Sequence, residues 1–240
     1  SRERVGAIAG RADLFVGRPW VISPNSETSP NAVKVVETLA AALESSVVTV
    51  SPKDHDRAVA LVSHVPQVVA SLLAARLVDA KNTDVALAGQ GLRDTTRIAA
   101  SDPELWVQIL EANSAEVLSV LESFSADLST VIGALQNVHT EKGIASLHSA
   151  IEAGNIGVEK IPGKHGTKHS TYAQVVVMID DQPGELARLL TEVGEIGINL
   201  EELKLEHSPS AQIGLVELYV IPEAETSLIA DLQKRGWRIA

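Results

Sequence analysis

At 240 residues the chain exceeds the roughly 100–200 residues of one ordinary domain, and 45% hydrophobic with 21% charged residues is folded rather than disordered composition, so two compact units are expected. A formal net charge of −11 repels phosphate backbones and anionic headgroups, which speaks against nucleic acid and membrane surfaces as partners. With no cysteine, disulfide frameworks, thiolate nucleophiles and thiolate-bound zinc are excluded, and with only 3% aromatic residues the core must come from small aliphatic side chains.

In chain order, 17–24 reads as a short strand stopped by Pro24, and 31–43 follows with the apolar spacing of a helix. The β-branched stretch 46–50 reads as another buried strand, closed by Ser51-Pro52. Strand, helix, strand makes a βαβ unit, the edge of a parallel α/β sheet whose remainder is expected upstream of Ser1. The opening Ser1-Arg2-Glu3-Arg4, with no initiator Met and no apolar signal region, reads as the start of an internal fragment.

From Asp54 onward the pattern turns helical: a long apolar helix over 55–79, a glycine-containing break at 88–92, then helical segments from 95 to about 153. Asp102-Pro103-Glu104 predicts a helix start, with Asp102 as N-cap, Pro103 at the first helical position and acidic Glu104 in the first turn. The run 58–77 is apolar on nearly every face, so it must be surrounded, and a homodimer through this region is the economical explanation. No 18 consecutive apolar residues occur, since 58–78 is broken by Ser63, His64, Gln67, Ser71 and Arg76, so no membrane span is expected.

A polar stretch, 156–171, with Gly157, Pro162, Gly163 and Gly166, reads as a linker. Its Lys164, His165, Lys168 and His169 form a basic cluster, either solvated or an inter-subunit or effector contact. Beyond it come a strand at 173–179, the turn Pro183-Gly184 into a helix over 185–196, strands at 198–205 and 213–220, a helix at 223–235 and a last strand at 237–240. That order is βαββαβ, a ferredoxin-like α+β arrangement. The domain layout is therefore 1–52, edge of a parallel α/β domain; 53–155, helical dimerising domain; 156–171, linker; and 172–240, ferredoxin-like domain.

Three stretches in order resemble the prephenate/arogenate dehydrogenase family: Asp13-Leu14-Phe15-Val16-Gly17-Arg18-Pro19-Trp20-Val21-Ile22-Ser23-Pro24, then His55 through Pro66, then Leu92-Arg93-Asp94-Thr95-Thr96-Arg97 through Trp106, with Asn113 a further match. The tail, Asp180-Asp181-Gln182-Pro183-Gly184-Glu185-Leu186-Ala187 followed by Gly197-Ile198-Asn199-Leu200, resembles an ACT domain, a ligand-sensing module of amino-acid enzymes. The resemblance implies a multidomain fold and a cytoplasmic enzyme of tyrosine biosynthesis. Its reaction would be oxidative decarboxylation of prephenate to 4-hydroxyphenylpyruvate with NAD or NADP, under feedback by tyrosine or phenylalanine.

The resemblance also assigns roles. Substrate-binding positions are Glu3, His64, Gln67, Asp94 and Arg97, with Arg97 the carboxylate fork, since a guanidinium grips a carboxylate with two hydrogen bonds. The bland reading of Arg97 is a salt bridge to Asp94 or Asp102, and that of His64 a core histidine. Many relatives carry a second His where this chain has Gln67, on the same helical face as His64; Gln cannot become cationic, which leaves prephenate and arogenate both open as substrates. Effector positions are Asp181, Gly184, Glu185, Leu186, Asn199 and Leu200, the Pro-Gly turn leaving helix-start N–H groups free for a carboxylate.

The family's catalytic His is expected just upstream of Ser1, and no G-x-G-x-x-G loop occurs: Gly89-Gln90-Gly91 reaches Asp94 where the third small residue should stand. Alone, the fragment is expected to be inactive. Two other readings remain: a stand-alone amino-acid-binding regulatory dimer, and a metal-dependent hydrolase built on Asp54-His55-Asp56, against which Asp54 and Asp56 serve better as helix-start charges and caps. No metal is expected.

Overall fold

The computed structural model describes residues 10, 13–162, 172–207 and 213–240. Glu3 and the basic cluster of Lys164, His165, Lys168 and His169 lie outside the described residues. The chain divides into two compact units, Ser1–Gly143 and Ile144–Ala240.

The first unit opens with β1 (Pro19–Ile22), α1 (Pro30–Ala42) and β2 (Ser46–Thr49), the two strands pairing in parallel from Pro19 opposite Ser46 to Ile22 opposite Thr49. The Ser29 hydroxyl caps α1 by accepting from Ala32 N at 3.2 Å, and Pro30 fills the first position, where its missing N–H costs nothing. The helix stops at Glu44, which takes a left-handed φ of 57° so that Ser45 N can close onto Ala40 O at 3.0 Å. One expectation is corrected here. β2 is exposed along its whole length, with Val48 42% accessible: among the described residues its sheet has two strands, and α1, which packs against β2, leaves both valines open.

The helical part begins three residues earlier than expected. Ser51 is its N-cap, accepting from Asp54 N at 3.1 Å, and Asp54 supplies the first-turn acidic charge rather than the cap itself. The run consists of α2 (Pro52–Val59), a π turn (Ala60–His64) and α3 (Val65–Ala75), and ends four residues short of the predicted limit. In the π turn Val65 N donates to Ala60 O, five residues back. The expected break at 88–92 is half helix: after the single turn α4 (Asn82–Val85), α5 (Gln90–Thr96) starts inside it, leading into a 3₁₀ turn (Arg97–Ala99) packed on α3.

Then follow α6 (Pro103–Ala112), α7 (Ser114–Gln136) and α8 (Glu141–Val158). Asp102 caps α6 as expected, accepting from Glu104 N at 2.9 Å. Ala60, Val65 and Val117 form the buried seam between the π turn, α3 and α7, with Val69, Leu110 and Leu121 packed beside them. Small side chains make this seam, as the composition requires.

Outside that seam the helices stay apolar: Leu61 and Val62 on the π turn, Leu72 on α3, and Leu128, Ile132 and Leu135 on α7 are all more than 45% accessible. By length and composition alone, Pro52–Ala75 and Ser114–Gln136 are long and apolar enough to cross a membrane, a property that counting uninterrupted apolar residues did not register.

In the second unit, β3 (Ala173–Asp180), α9 (Glu185–Ile196), β4 (Glu202–His207), β5 (Ile213–Val220), α10 (Glu225–Lys234) and β6 (Arg238–Ile239) follow in βαββαβ order. The sheet is antiparallel in the order β4-β5-β3-β6. Burial alternates along β3 and β5, so Val175, Val177, Val216 and Leu218 turn into one core with Leu189 and Leu228 of the two helices. Gly214, on β5 between them, leaves room for the side chains of Ile179 on β3 and Leu205 on β4, which a Cβ there would meet at 3.1 and 3.2 Å. The strand expected over 198–205 begins instead at Glu202: Gly197, at φ 81°, ends α9 in a left-handed cap, and Ile198 and Leu200 pack on the core as loop.

Candidate functional site

The helical unit gathers its polar groups where the π turn meets the α6–α7 junction. The Asn113 amide nitrogen donates to the Asp56 carbonyl at 2.8 Å and lies 3.2 Å from His64 Nδ1. The Trp106 ring meets the His64 ring edge to face, 6.2 Å between centroids at 82°. Trp106 Nε1 is buried with no hydrogen-bond partner among the described residues.

Burial lowers the His64 pKa from its ordinary 6.5, His55 pushes it further down, and Asp56 opposes both. A base whose folded-state pKa is lowered makes the folded chain bind fewer protons than the unfolded one just below pH 6.5, so this contribution to stability is present above 6.5 and lost as pH falls through the lowered value. His64 is accordingly expected to be neutral at pH 7, with a midpoint below 6.5 in a ¹H–¹³C NMR titration of its ring. A midpoint above 6.5 would instead mean that Asp56 dominates.

Gln67 is 4% accessible and donates to Ser101 Oγ at 2.6 Å, with Ser71 Oγ at 3.4 Å. It ties α3 to the approach of α6, and its partners differ from those of His64. Asp94 accepts from Gln90 at 2.8 Å, and Asp102 is spent on its cap, so the two carboxylates that sequence offered as salt-bridge partners of Arg97 are engaged elsewhere. Arg97 is exposed and has no ion pair among the described residues. Asp54 and Asp56 are likewise used locally, by Ser51 with Arg57 and by His55. Among the described residues no group of three or more His, Asp or Glu gathers in a way that could hold a metal ion.

The Gly-x-Gly stretch that the sequence offers is not a cradle for a dinucleotide. Gly89 caps α5 in extended conformation, and the helix it opens follows a helical turn rather than a strand, so Gly89-Gln90-Gly91 has no strand-to-helix turn on which to place a pyrophosphate.

At the second unit, Gly184 caps α9 with φ 94° and no side chain takes the cap position. Arg188 N reaches back to Gly184 O at 2.8 Å and Glu185 N to Gln182 O at 3.3 Å, while the amides of Leu186 and Ala187 have no partner among the described residues. Glu185 is held by Arg188 at 2.8 Å, Asp181 is exposed, and Asn199 donates to Glu201 at 3.1 Å. Leu186 and Leu200 pack on the core. The expected effector residues thus fall into two groups: Asp181 to Leu186 at the start of α9, and Asn199 with Leu200 after its end, about 18 Å of helix apart at ~1.5 Å per residue.

Two features escaped sequence reasoning. The Arg188 guanidinium lies 3.8 Å over the Trp237 ring, whose Nε1 donates to Glu192 at 2.7 Å; no spacing relates residues 188 and 237, which meet only through the fold. The π turn has no sequence signal of its own either.

Residues 51–150 match the family described as prephenate dehydrogenase, dimerization domain. Probable prephenate dehydrogenase NovF of Streptomyces niveus is 33% identical over 239 residues, 97% of this chain and 66% of that protein. Cyclohexadienyl dehydrogenase of Zymomonas mobilis is 32% identical over 130 residues, 52% of this chain and 44% of that one. The crystal structure of prephenate dehydrogenase from A. aeolicus in complex with hydroxyphenyl propionate and NAD+ superposes with a TM-score of 0.51 at 26% identity, covering 61% of this chain and 52% of that one. The chain spans about half to two-thirds of the length of these relatives.

Proposed function

We propose that this chain belongs to the prephenate dehydrogenase family and is the substrate-binding, dimerising and regulatory part of a cytoplasmic enzyme that oxidatively decarboxylates prephenate. NAD is the cofactor proposed, as in the A. aeolicus neighbour's complex. It would accept hydride from the ring while carbon dioxide leaves, bound mainly by a nucleotide-binding segment outside this chain, which spans only part of these relatives' length. What this chain contributes is recognition: Arg97 as the fork for a substrate carboxylate, with Asp94 beside it, His64 and Gln67 on the neighbouring helical run, and Glu3 from the amino-terminal segment. The observation that carries the reading is the match over 51–150 together with an Arg97 guanidinium that has no ion pair among the described residues while both nearby carboxylates are engaged.

The exposed apolar sides of α3 and α7 suit a homodimer, and the dimerization-domain match favours that reading over a membrane for the two long helices. The parts proposed are 1–52 as the edge of the nucleotide domain, 53–155 as the helical domain, 156–171 as linker and 172–240 as an ACT sensor for tyrosine or phenylalanine. Support for the sensor comes from the βαββαβ order and from the free amides of Leu186 and Ala187 at a helix start, where a carboxylate is favoured. Since α9 separates Gly184 from Asn199 within one copy, a single small ligand would touch both groups only across two copies of the unit.

The test is prephenate-dependent NAD reduction by the enzyme that includes the preceding nucleotide-binding segment, with and without tyrosine. Turnover is expected, inhibited by tyrosine, and inhibition should weaken more than about tenfold, or ~1.4 kcal/mol, in both Asp181→Ala and Asn199→Ala. Turnover with arogenate alone would correct the substrate. Absence of NAD reduction with either compound would remove the enzyme reading, and inhibition untouched by both variants would remove the sensor.

A further inference from the structure

We infer that Asn113 is a positioning residue that holds His64 as the neutral ring with its proton on Nε2, so that a polar group lying against that nitrogen must be a hydrogen-bond acceptor. The chain of contacts leaves little freedom. The Asp56 carbonyl can only accept, so the Asn113 atom 2.8 Å from it is the amide nitrogen; turning the amide over would set two acceptor oxygens together. That same nitrogen, which only donates, stands 3.2 Å from His64 Nδ1, so Nδ1 must be the acceptor. A neutral imidazole that accepts through Nδ1 carries its hydrogen on Nε2.

The surroundings agree with a presented donor rather than a buried core histidine. His64 Nε2 has no partner among the described residues. The Asp56 carboxylate is bonded to His55 Nδ1 at 3.0 Å. His64 also ends the π turn, an irregularity that gives up regular helix bonding and recurs at functional sites. One amide therefore connects α2, the π turn and the α6–α7 junction while setting which ring nitrogen donates. That the acceptor facing Nε2 belongs to the substrate rests on the substrate-site reading above; the tautomer does not.

The measurement is a long-range ¹H–¹⁵N correlation of the His64 ring in the purified chain above pH 7.5, which separates a protonated, pyrrole-type nitrogen from a bare, pyridine-type one. Wild type is expected to show a pyrrole-type Nε2 and a pyridine-type Nδ1. Asn113→Asp replaces the donor with an acceptor and should move the proton to Nδ1, while Asn113→Ala should leave a mixture of both forms. A pyrrole-type Nδ1 in wild type, or an unchanged ring pattern in a folded Asn113→Asp, overturns the inference. If the charged variant does not fold, the alanine variant decides by the same criterion. With the preceding segment present, a more than tenfold rise in KM for prephenate in Asn113→Asp, with the circular dichroism unchanged, places the substrate against Nε2. A moved proton with unchanged KM supports Asn113 and removes His64 from the substrate site.

Discussion

In the enzyme that includes the preceding nucleotide-binding segment, Arg97→Ala is expected to raise KM for prephenate about 100-fold and to leave the melting temperature of the helical unit where it was. Hydrogen bonds to a charged partner contribute about 1.5–3 kcal/mol each, and losing a two-pronged carboxylate grip costs ~3 kcal/mol, two decades of binding. The stability half of the expectation follows from geometry. Arg97 is exposed at the head of a 3₁₀ turn, Asp94 is bonded to Gln90 and Asp102 to its own helix, so removing the guanidinium strands no buried charge. Exposed substitutions of this kind stay within about 0.5 kcal/mol. Arg97→Lys retains the charge without the planar fork and should fall between wild type and alanine. The bland alternative predicts the opposite pairing, a lower melting temperature with KM unchanged, so steady-state kinetics and a thermal melt on the same preparations decide between them.

Much of this organisation was legible because it is written in local chemistry. Asp102-Pro103-Glu104 carries its whole helix start in three adjacent residues, and the structure uses them as read. The Pro183-Gly184 turn and alternating apolar residues made the βαββαβ order legible for the same reason. The misreadings share a different cause. β2 looked buried because valines favour covered strands, yet whether a strand is covered depends on neighbours that its own residues cannot specify. The strand expected at Ile198 has the right apolar content, but a left-handed Gly197 turns those side chains into the core before pairing begins at Glu202.

The site divides along the same line. Arg97 and His64 were recognisable from family motifs, whereas the circumstances that govern their chemistry were not: the Asn113 amide comes from 49 positions beyond His64, and Gln67 bonds to a serine 34 positions away. Gln67 shows the limit well. Standing where many relatives carry a histidine, it is also a buried strut whose amide nitrogen donates to Ser101, a bond no spacing announces.

The largest effect on stability is expected from the smallest change, Gly143→Ala, at the start of α8. Alanine is the better helix former by about 1 kcal/mol, so propensity alone predicts a gain. Space decides otherwise. A Cβ on Gly143 would fall on the carbonyl of Asn137, with the carbonyl carbon at 2.7 Å and the Ala134 oxygen at 3.0 Å. These are backbone atoms of the last turn of α7, which cannot rotate aside as a side chain would. Relief requires opening the α7–α8 turn, where Thr140 Oγ1 accepts from Gly143 N at 3.1 Å and Thr140 N donates to Asn137 O at 3.0 Å. Overpacking that moves backbone reaches the upper end of its ~1–3 kcal/mol range or beyond, and ~3 kcal/mol should lower the melting temperature of a unit this size by roughly 10 °C. Gly154→Ala, further along α8 with nothing within 4 Å of its Cβ position, provides the control and should be neutral or stabilising. Equal melting temperatures for the two variants would mean that the turn from Ala134 to Gly143 yields at no cost.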